Sequence, residues 1–415
     1  MTTTPPPSTP APSGRPATYD LVVVGAGPAG ATCARAAALA GLRVLLLDKA
    51  RFPRAKPCAG ALSCQALHQL DLPLPENLVE REFTGGRLWY KDRCIEAHKP
   101  YRAGVLVRRE RFDAWLVEQA AAAGAEVRLG QAVRSVADNN GRVLARTAGD
   151  TLSGRFLVVA EGASGRLKTA VRPPDRPRDY TFCVCADIES PEAMGDVPMD
   201  IRFGIARAGY GWVFSRRGEV SIGIGEQGDR LTNPVALMHA LLAANGFPAT
   251  TRLVGHKIPM GGVPRRVAAG RILLAGDAAG FADAILGEGI AYALASGRLA
   301  GERLAAHLAG SDPEPPAAAY TAACQSSLGE ELRQTLYLAR CLRLAPDRLL
   351  AVILSDHEAL SRYIDILAGK LSYKAFNRWM LRRLPLFLWR AIVGGGGGPR
   401  RRAGGVAPCT PTRRE

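Results

Sequence analysis

The stretch Tyr19-Asp20-Leu21-Val22-Val23-Val24-Gly25-Ala26-Gly27-Pro28-Ala29-Gly30 decides the fold. Its first half is a short, β-branched apolar run, which reads as a strand buried inside a parallel sheet. Its second half is a GxGxxG turn that opens an alanine-rich helix over 31–40, with Gly41 just past its end. Arg43-Val44-Leu45-Leu46-Leu47-Asp48 then reads as a second buried strand closed by an acid, completing a βαβ unit. A lone GxGxxG is weak. One that follows a strand, opens a helix and is succeeded about 18 residues on by a strand-ending acid marks a dinucleotide site. Gly25 permits the tight turn, Gly27 lets a pyrophosphate approach the backbone, and Gly30 lets helix and strand pack closely. With Ala29, these residues present the unpaired N–H groups and positive dipole end of the helix to the phosphates. Asp48 is placed to accept hydrogen bonds from the adenosine ribose.

This motif does not separate NAD from FAD; a segment about 250 residues later does. Arg271-Ile272-Leu273-Leu274-Ala275-Gly276-Asp277 reads as another buried parallel strand, followed by a helix from Glu288 onward. Asp277 is positioned for ribityl hydroxyls. Gly287, Gly289 and Ile290 open a helix whose N–H groups aim at the pyrimidine edge of a flavin, where the reduced ring carries negative charge. The expected cofactor is therefore FAD. A second literal GxGxxG, Gly223 to Gly228, is set aside: the next plausible helix begins only near Asn233-Pro234, and no acid-ended strand follows. With no second dinucleotide site, NAD(P)H as reductant would visit transiently at the flavin.

Outward from these anchors, the chain of 415 residues divides into a disordered tail (1–18), an FAD-binding domain (19–165 and 266–312), a β-sheet substrate domain (166–265), a C-terminal helical region (313–393) and a flexible basic tail (394–415). Residues 51–107 read as mixed and loop-rich. A helix is expected over 110–123, with Phe112, Trp115, Leu116 and Ala120 on one face. The run 313–390 reads as helices interrupted near Pro346 and Pro385.

The formal net charge is +16, part of it at Arg400, Arg401, Arg402, Arg413 and Arg414. It reads as a solvated basic surface or as attraction to anionic lipid or a phosphorylated substrate. No zinc finger, RNP motif or base-reading helix supports a nucleic-acid partner. Nine cysteines without a CxxC pair suit a reduced, cytoplasmic compartment. Cys183 and Cys185 alternate on one strand and read as two buried core thiols. Six scattered histidines give no metal-ligand spacing.

With these residues in view, the chain resembles the geranylgeranyl reductase family, within the flavoproteins similar to para-hydroxybenzoate hydroxylase, from about Tyr19 to Phe387. The resemblance implies an α/β fold: a Rossmann-like FAD-binding domain of the GR2 type, an inserted antiparallel β-sheet substrate domain and C-terminal helices. Lys56-Pro57-Cys58-Ala59-Gly60 resembles the family's Pro-x-Cys-Gly loop, which implies Cys58 and Ala59 beside the isoalloxazine and makes Cys58 the candidate catalytic residue. Val107 to Asp113 resembles its Arg-x-x-Phe-Asp segment, which implies Arg109 on the FAD pyrophosphate. Val133 falls where the family's backbone reads adenine. Tyr210-Gly211-Trp212-Val213-Phe214 resembles its substrate motif; by alternation Tyr210, Trp212 and Phe214 share one strand face, able to line a prenyl slot. Ser215 departs from the usual proline, Ala59 from a glycine, and Glu161 from the Asp of an Asp-Gly pair.

The activity implied is reduction of isoprenoid carbon–carbon double bonds on a prenyl-chain lipid or prenylated small molecule. Hydride would come from flavin N5, and NAD(P)H or reduced ferredoxin would act as external donor. The aromatic and cationic run Leu371 to Trp389 (Tyr373, Phe376, Trp379, Leu384, Phe387 and Trp389, with Lys374, Arg378, Arg382, Arg383 and Arg390) suits either peripheral contact with the inner face of a membrane or packing on the protein. Two other readings share the fold: a flavin monooxygenase acting on an aromatic or quinone precursor, and a membrane-surface electron carrier to quinone.

Overall fold

A computed structural model describes residues 18–139, 141–190, 198–206, 209–228, 232–249, 252–260 and 265–393. The tails read over 1–17 and 394–415, with the five tail arginines, lie outside these residues. Thr18 already opens the first strand.

The strand predicted from Tyr19 to Val24 lies at the centre of a parallel sheet. In order across that sheet run Ile272–Leu274, Thr151–Val159, Thr18–Val24, Val44–Asp48 and Glu126–Leu129, all parallel. Val22, Val23, Leu45, Leu46, Leu157, Val158, Leu273 and Leu274 are wholly buried. That explains their unbroken apolar character, because helices or a second layer cover both faces. An antiparallel hairpin, Ser135–Asn139 with Arg142–Arg146, extends from the start of Thr151–Val159.

Two helices pack directly against each other over this sheet: Pro28–Leu39 and Ile290–Leu308. They meet backbone to backbone. A Cβ placed on Gly297 would sit 2.1 Å from the Ala29 carbonyl oxygen, and one on Gly301 would sit 2.7 Å from that of Cys33. Only glycine allows this approach, and it brings the two flavin segments read from the sequence into one place. The helix Arg109–Ala122 buries Phe112, Leu116 and Ala120, three of the four residues expected on its inner face; Trp115 is partly buried against the same core.

The second sheet has seven strands in the order Val254–Pro259, Tyr180–Glu189, Glu219–Gln227, Gly209–Arg216, Met199–Phe203, Gly85–Tyr90 and Arg93–His98. It is antiparallel except where Met199–Phe203 runs parallel to Gly85–Tyr90. The last two strands, and a small sheet of Ala61–Ser63, Gly104–Val107 and Val79–Phe83, correct the reading of 51–107 as loop-rich. Gly85–Tyr90 and Arg93–His98 are half-buried with little alternation, so their sequence carries no clean period-2 signal. One face of the second sheet, through Val213, Val220, Ile222 and Ile224, packs against the helix Pro234–Ala244. Cys183, Cys185, Met199, Ile201, Trp212 and Phe214 point the other way, towards Leu360 and Ile364 of the helix His357–Leu367. Gly223 to Gly228 falls on the strand Glu219–Gln227 and the turn after it, with the next helix beginning at Pro234, as the spacing requires.

Pro346 caps the helix Asp347–Ile353 and interrupts the helical run as expected. Pro385 does not: the helix Tyr373–Val393 passes through it. Pro385 and Leu381, whose carbonyl loses its helical donor, are both exposed, so the freed group is open to water. Of the aromatic run, Tyr373, Phe376 and Phe387 turn inward, whereas Trp389 is 59% exposed.

The glycine contact between the two helices yields a prediction. Gly297→Val should destabilise the protein by at least ~3 kcal/mol, the range of overpacking combined with backbone displacement, and should release FAD. Urea denaturation read by circular dichroism and flavin fluorescence checks both.

Candidate flavin site

The carboxyl ends of the central parallel strands open on a cleft of about 630 Å³, within the range of cofactor sites. Gly25, Gly27 and Ala29, with Asp48, form one end of its lining; Asp277, Gly287, Gly289 and Ile290 contribute another part. The geometry separates the roles of the three motif glycines. Gly25 has φ +104°, and a Cβ there would sit 2.3 Å from the Ala160 carbonyl. A Cβ on Gly30 would sit 1.7 Å from the Gly25 carbonyl. Local packing therefore demands both. A Cβ on Gly27 would meet only Arg54 Nη2, at 3.6 Å. Nothing in the protein forbids a side chain at Gly27; it would fill the cradle at the helix N-terminus, where a pyrophosphate belongs. That is the fit expected of a dinucleotide such as FAD.

Asp48 is anchored before any ligand is considered. Its Oδ2 accepts the Ala26 N–H at 2.7 Å and its Oδ1 the Ala50 N–H at 2.8 Å. The carboxylate is thus fixed between the glycine turn and the end of its strand, with lone pairs left for ribose hydroxyls. Arg109 lines the cleft with its Nε and Nη2 engaged by Asp113 at 2.8 and 2.9 Å. Arg54 reaches the same carboxylate at 3.2 Å. Asp113 has no exposure, so its charge is held by two guanidinium groups. Burial pushes the Arg109 pKa down, but Asp113 and the nearby Cys58 outweigh it and hold the group above its ordinary value.

Cys58 and Ala59 both line the cleft, and Cys58 Sγ accepts the Gly60 N–H at 3.4 Å. Gly60, at φ +76° with the Val107 carbonyl 2.1 Å from a built Cβ, is the glycine this loop requires. Val133 sits half-buried against the main core and does not line the cleft. Glu161 lines it but turns its carboxylate to the Leu167 N–H.

Tyr210, Trp212 and Phe214 share one wall of the cleft, with the Tyr210 and Trp212 rings 6.1 Å apart. Tyr210 Oη donates to the Leu286 carbonyl, tying this wall to the loop before Ile290–Leu308. At Ser215, where the family has proline, the N–H donates to the Pro198 carbonyl at 2.9 Å, a bond proline would forfeit. Cys183 and Cys185 are buried on the same strand face as expected, and they also border the cleft, which their pattern did not reveal.

Sequence reasoning missed two polar features. Lys56 Nζ lies 2.8 Å from His256 Nε2, joining the Cys58 loop to the edge strand Val254–Pro259. Burial lowers the Lys56 pKa, opposed by Asp277. Burial, aided by Lys56 and Arg109, lowers His256 to about 3, so its ring is neutral at physiological pH. The other is Glu288, whose carboxylate accepts from Ser63 Oγ inside the cleft. No motif marks His256, and Ser63 comes from a strand the sequence left unread. A second, mostly apolar cavity lies between the second sheet and the C-terminal helices. Met199, Ile201, Leu286, Tyr363 and Leu367 line both spaces.

A family described as FAD binding domain matches residues 18–178. The chain is 31% identical to digeranylgeranylglycerophospholipid reductase 1 of Methanopyrus kandleri over 78% of this chain and 89% of that protein. The chain belongs to the geranylgeranyl reductase family. As a geranylgeranyl reductase family member it is an FAD-dependent oxidoreductase. It is also 35% identical to the menaquinone reductase of Mycobacterium tuberculosis, over 69% of this chain and 76% of that one. The crystal structure of a geranylgeranyl bacteriochlorophyll reductase-like protein from Thermoplasma acidophilum superposes with a TM-score of 0.75 at 23% identity, covering 90% of this chain and 98% of that one. The shared architecture is the predicted one: an FAD-binding domain, a largely antiparallel sheet and C-terminal helices.

The buried histidine sets a pH dependence. His256 stays neutral in the fold but protonates near 6.5 when unfolded, so the unfolded chain binds the extra proton and stability falls as the pH drops below 6.5. The expected loss between pH 7 and pH 5 from this group is on the order of 1–2 kcal/mol. His256→Asn should flatten that part of the profile in denaturant titrations.

Proposed function

We propose that this protein reduces isoprenoid carbon–carbon double bonds on a prenyl-chain lipid or prenylated small molecule. The observation that carries the reading is the wall of Met199, Ile201, Leu286, Tyr363 and Leu367 that the polar cleft shares with a small apolar cavity. The cleft has room for a cofactor, and the apolar side chains of this shared wall suit a hydrocarbon beside it; the cavity beyond, about 100 Å³, takes a short stretch of chain. The aromatic wall lines the cleft, and the name of the Methanopyrus relative points to a prenyl lipid.

In this reading the turn of Gly25, Gly27 and Ala29, packed from behind by Gly30, cradles the pyrophosphate with Arg109, and Asp48 holds the ribose. Asp277 takes the ribityl chain, and Gly287, Gly289 and Ile290 face the flavin ring. When bound, FAD supplies the hydride equivalent. The protein's part is to hold the alkene between Cys58 and Ala59 on one side and Tyr210, Trp212 and Phe214 on the other, and to keep water out. The external donor, NAD(P)H or reduced ferredoxin, docks from outside, because the second glycine-rich stretch belongs to a sheet strand and the turn that follows it.

No helix among the described residues is long and apolar enough to cross a membrane. A peripheral position on the inner face of a membrane is supported by Leu381, Leu388, Trp389, Ile392 and Val393, all exposed on one terminal helix that also carries Arg378 and Arg382.

The test is anaerobic. Protein carrying dithionite-reduced FAD should be reoxidised by a geranylgeranyl lipid, with a gain of two hydrogens per double bond by mass spectrometry. An unchanged chain, or a hydroxylated product formed only with oxygen, overturns the reading. Leu360→Trp, which fills the apolar cavity, should lower kcat/KM for a twenty-carbon chain by about tenfold or more while sparing a five-carbon analogue.

A further inference from the structure

Glu288 is held more rigidly than a cleft-lining side chain requires. Its N–H donates to Asp283 Oδ2, and its carbonyl accepts the Asp283 N–H at 3.0 Å. Asp283, itself 1% exposed, also takes the Ile285 and Leu286 N–H groups on Oδ1, at 2.7 and 3.0 Å. Tyr210 Oη clamps the Leu286 carbonyl from the opposite side. The loop 285–289 is thereby fixed between the buried Asp283 and the aromatic wall.

From this loop the Glu288 side chain enters the cleft, where Ser63 Oγ donates to Oε1. Ser63 is oriented in turn by the Ala66 N–H, which donates to its Oγ at 3.1 Å. Ser63 and Asp283 act directly on Glu288, Tyr292 and Tyr363 lie within its electrostatic reach, and none of the four is a cation. A carboxyl surrounded by neutral hydroxyls and another acid is poorly placed to ionise. Burial and Asp283 raise it to about 7, against the opposing pull of Ser63.

We propose that Glu288 is the proton donor for alkene reduction, delivering its carboxyl proton to the carbon that does not receive the hydride. The assignment rests on the prenyl-reductase reading above. The balance is simple. The alkene π bond breaks; one carbon gains a hydride equivalent from the reduced cofactor, and the other gains the proton as the Glu288 O–H bond breaks. The carboxylate left behind is reprotonated from solvent, and the external donor restores the two electrons, with the cofactor's lost proton supplied by that donor or by solvent.

Three measurements decide it. In the apoprotein, the infrared band of a protonated carboxyl should vanish with a midpoint near pH 7 in the wild type and be missing from Glu288→Gln. In anaerobic single turnover with a geranylgeranyl lipid, wild-type flavin reoxidation should fall as the pH rises through 7. Glu288→Gln, loaded with FAD and reduced by dithionite as fully as the wild type, should be slowed about 100-fold or more. Ser63→Ala removes the bond that favours the ionised form, so it should move the decline to higher pH, a shift that a merely structural role would not produce. A Glu288→Gln enzyme within a few-fold of wild type, or one keeping the same pH decline, refutes the assignment alone. A wild type that leaves the chain unsaturated at every pH refutes the prenyl-reductase reading and the assignment with it.

Discussion

The backbone-to-backbone approach of Pro28–Leu39 and Ile290–Leu308 sets the geometry on which the cleft depends. Gly297 and Gly301 place the second helix against the carbonyls of Ala29 and Cys33, so its N-terminal loop comes to rest beside the glycine turn. Two anion-seeking helix ends then share one cavity. A single cofactor can bridge them only because no side chain intervenes at the crossing. The loop carrying Gly287, Glu288 and Gly289, and the aromatic strand tied to it through Tyr210, take their positions from this contact.

Within the cleft, charge is arranged unevenly. The end near the Cys58 loop gathers Arg54, Lys56 and Arg109, with Asp113 buried beneath two of them. The end near Glu288 offers hydroxyls, aromatic rings and apolar side chains. A phosphate-bearing, electron-rich cofactor is favoured at the first. A hydrocarbon, and a carboxyl able to keep its proton, are favoured at the second.

The parallel sheet and its glycine turns were legible because burial on both faces leaves an unmistakable apolar run, and because Gly25 and Gly30 answer to local sterics. The aromatic face of Tyr210, Trp212 and Phe214 was legible through strand alternation. Gly85–Tyr90 and Arg93–His98 were not, since half-buried strands with mixed side chains have no period to read. His256 and Tyr363 were invisible for another reason: each reaches the cleft from an element distant in sequence, and nothing near either in the chain records what lies opposite in space. Pro385 misled because a helix break was inferred from a missing donor, while exposure lets water take the donor's place.

The order of strands in the central sheet has a consequence for synthesis on the ribosome. Thr151–Val159 pairs on one side with Thr18–Val24, which precedes it, and on the other with Ile272–Leu274, which follows more than a hundred residues later. At roughly 5–20 residues per second, the nascent chain carries one open edge of its main sheet for several seconds while strands of the intervening sheet emerge. During that interval the half-built layer lacks Asp277 and the 287–290 turn that complete the cleft, and its bare edge is the place where a chaperone would need to stand guard.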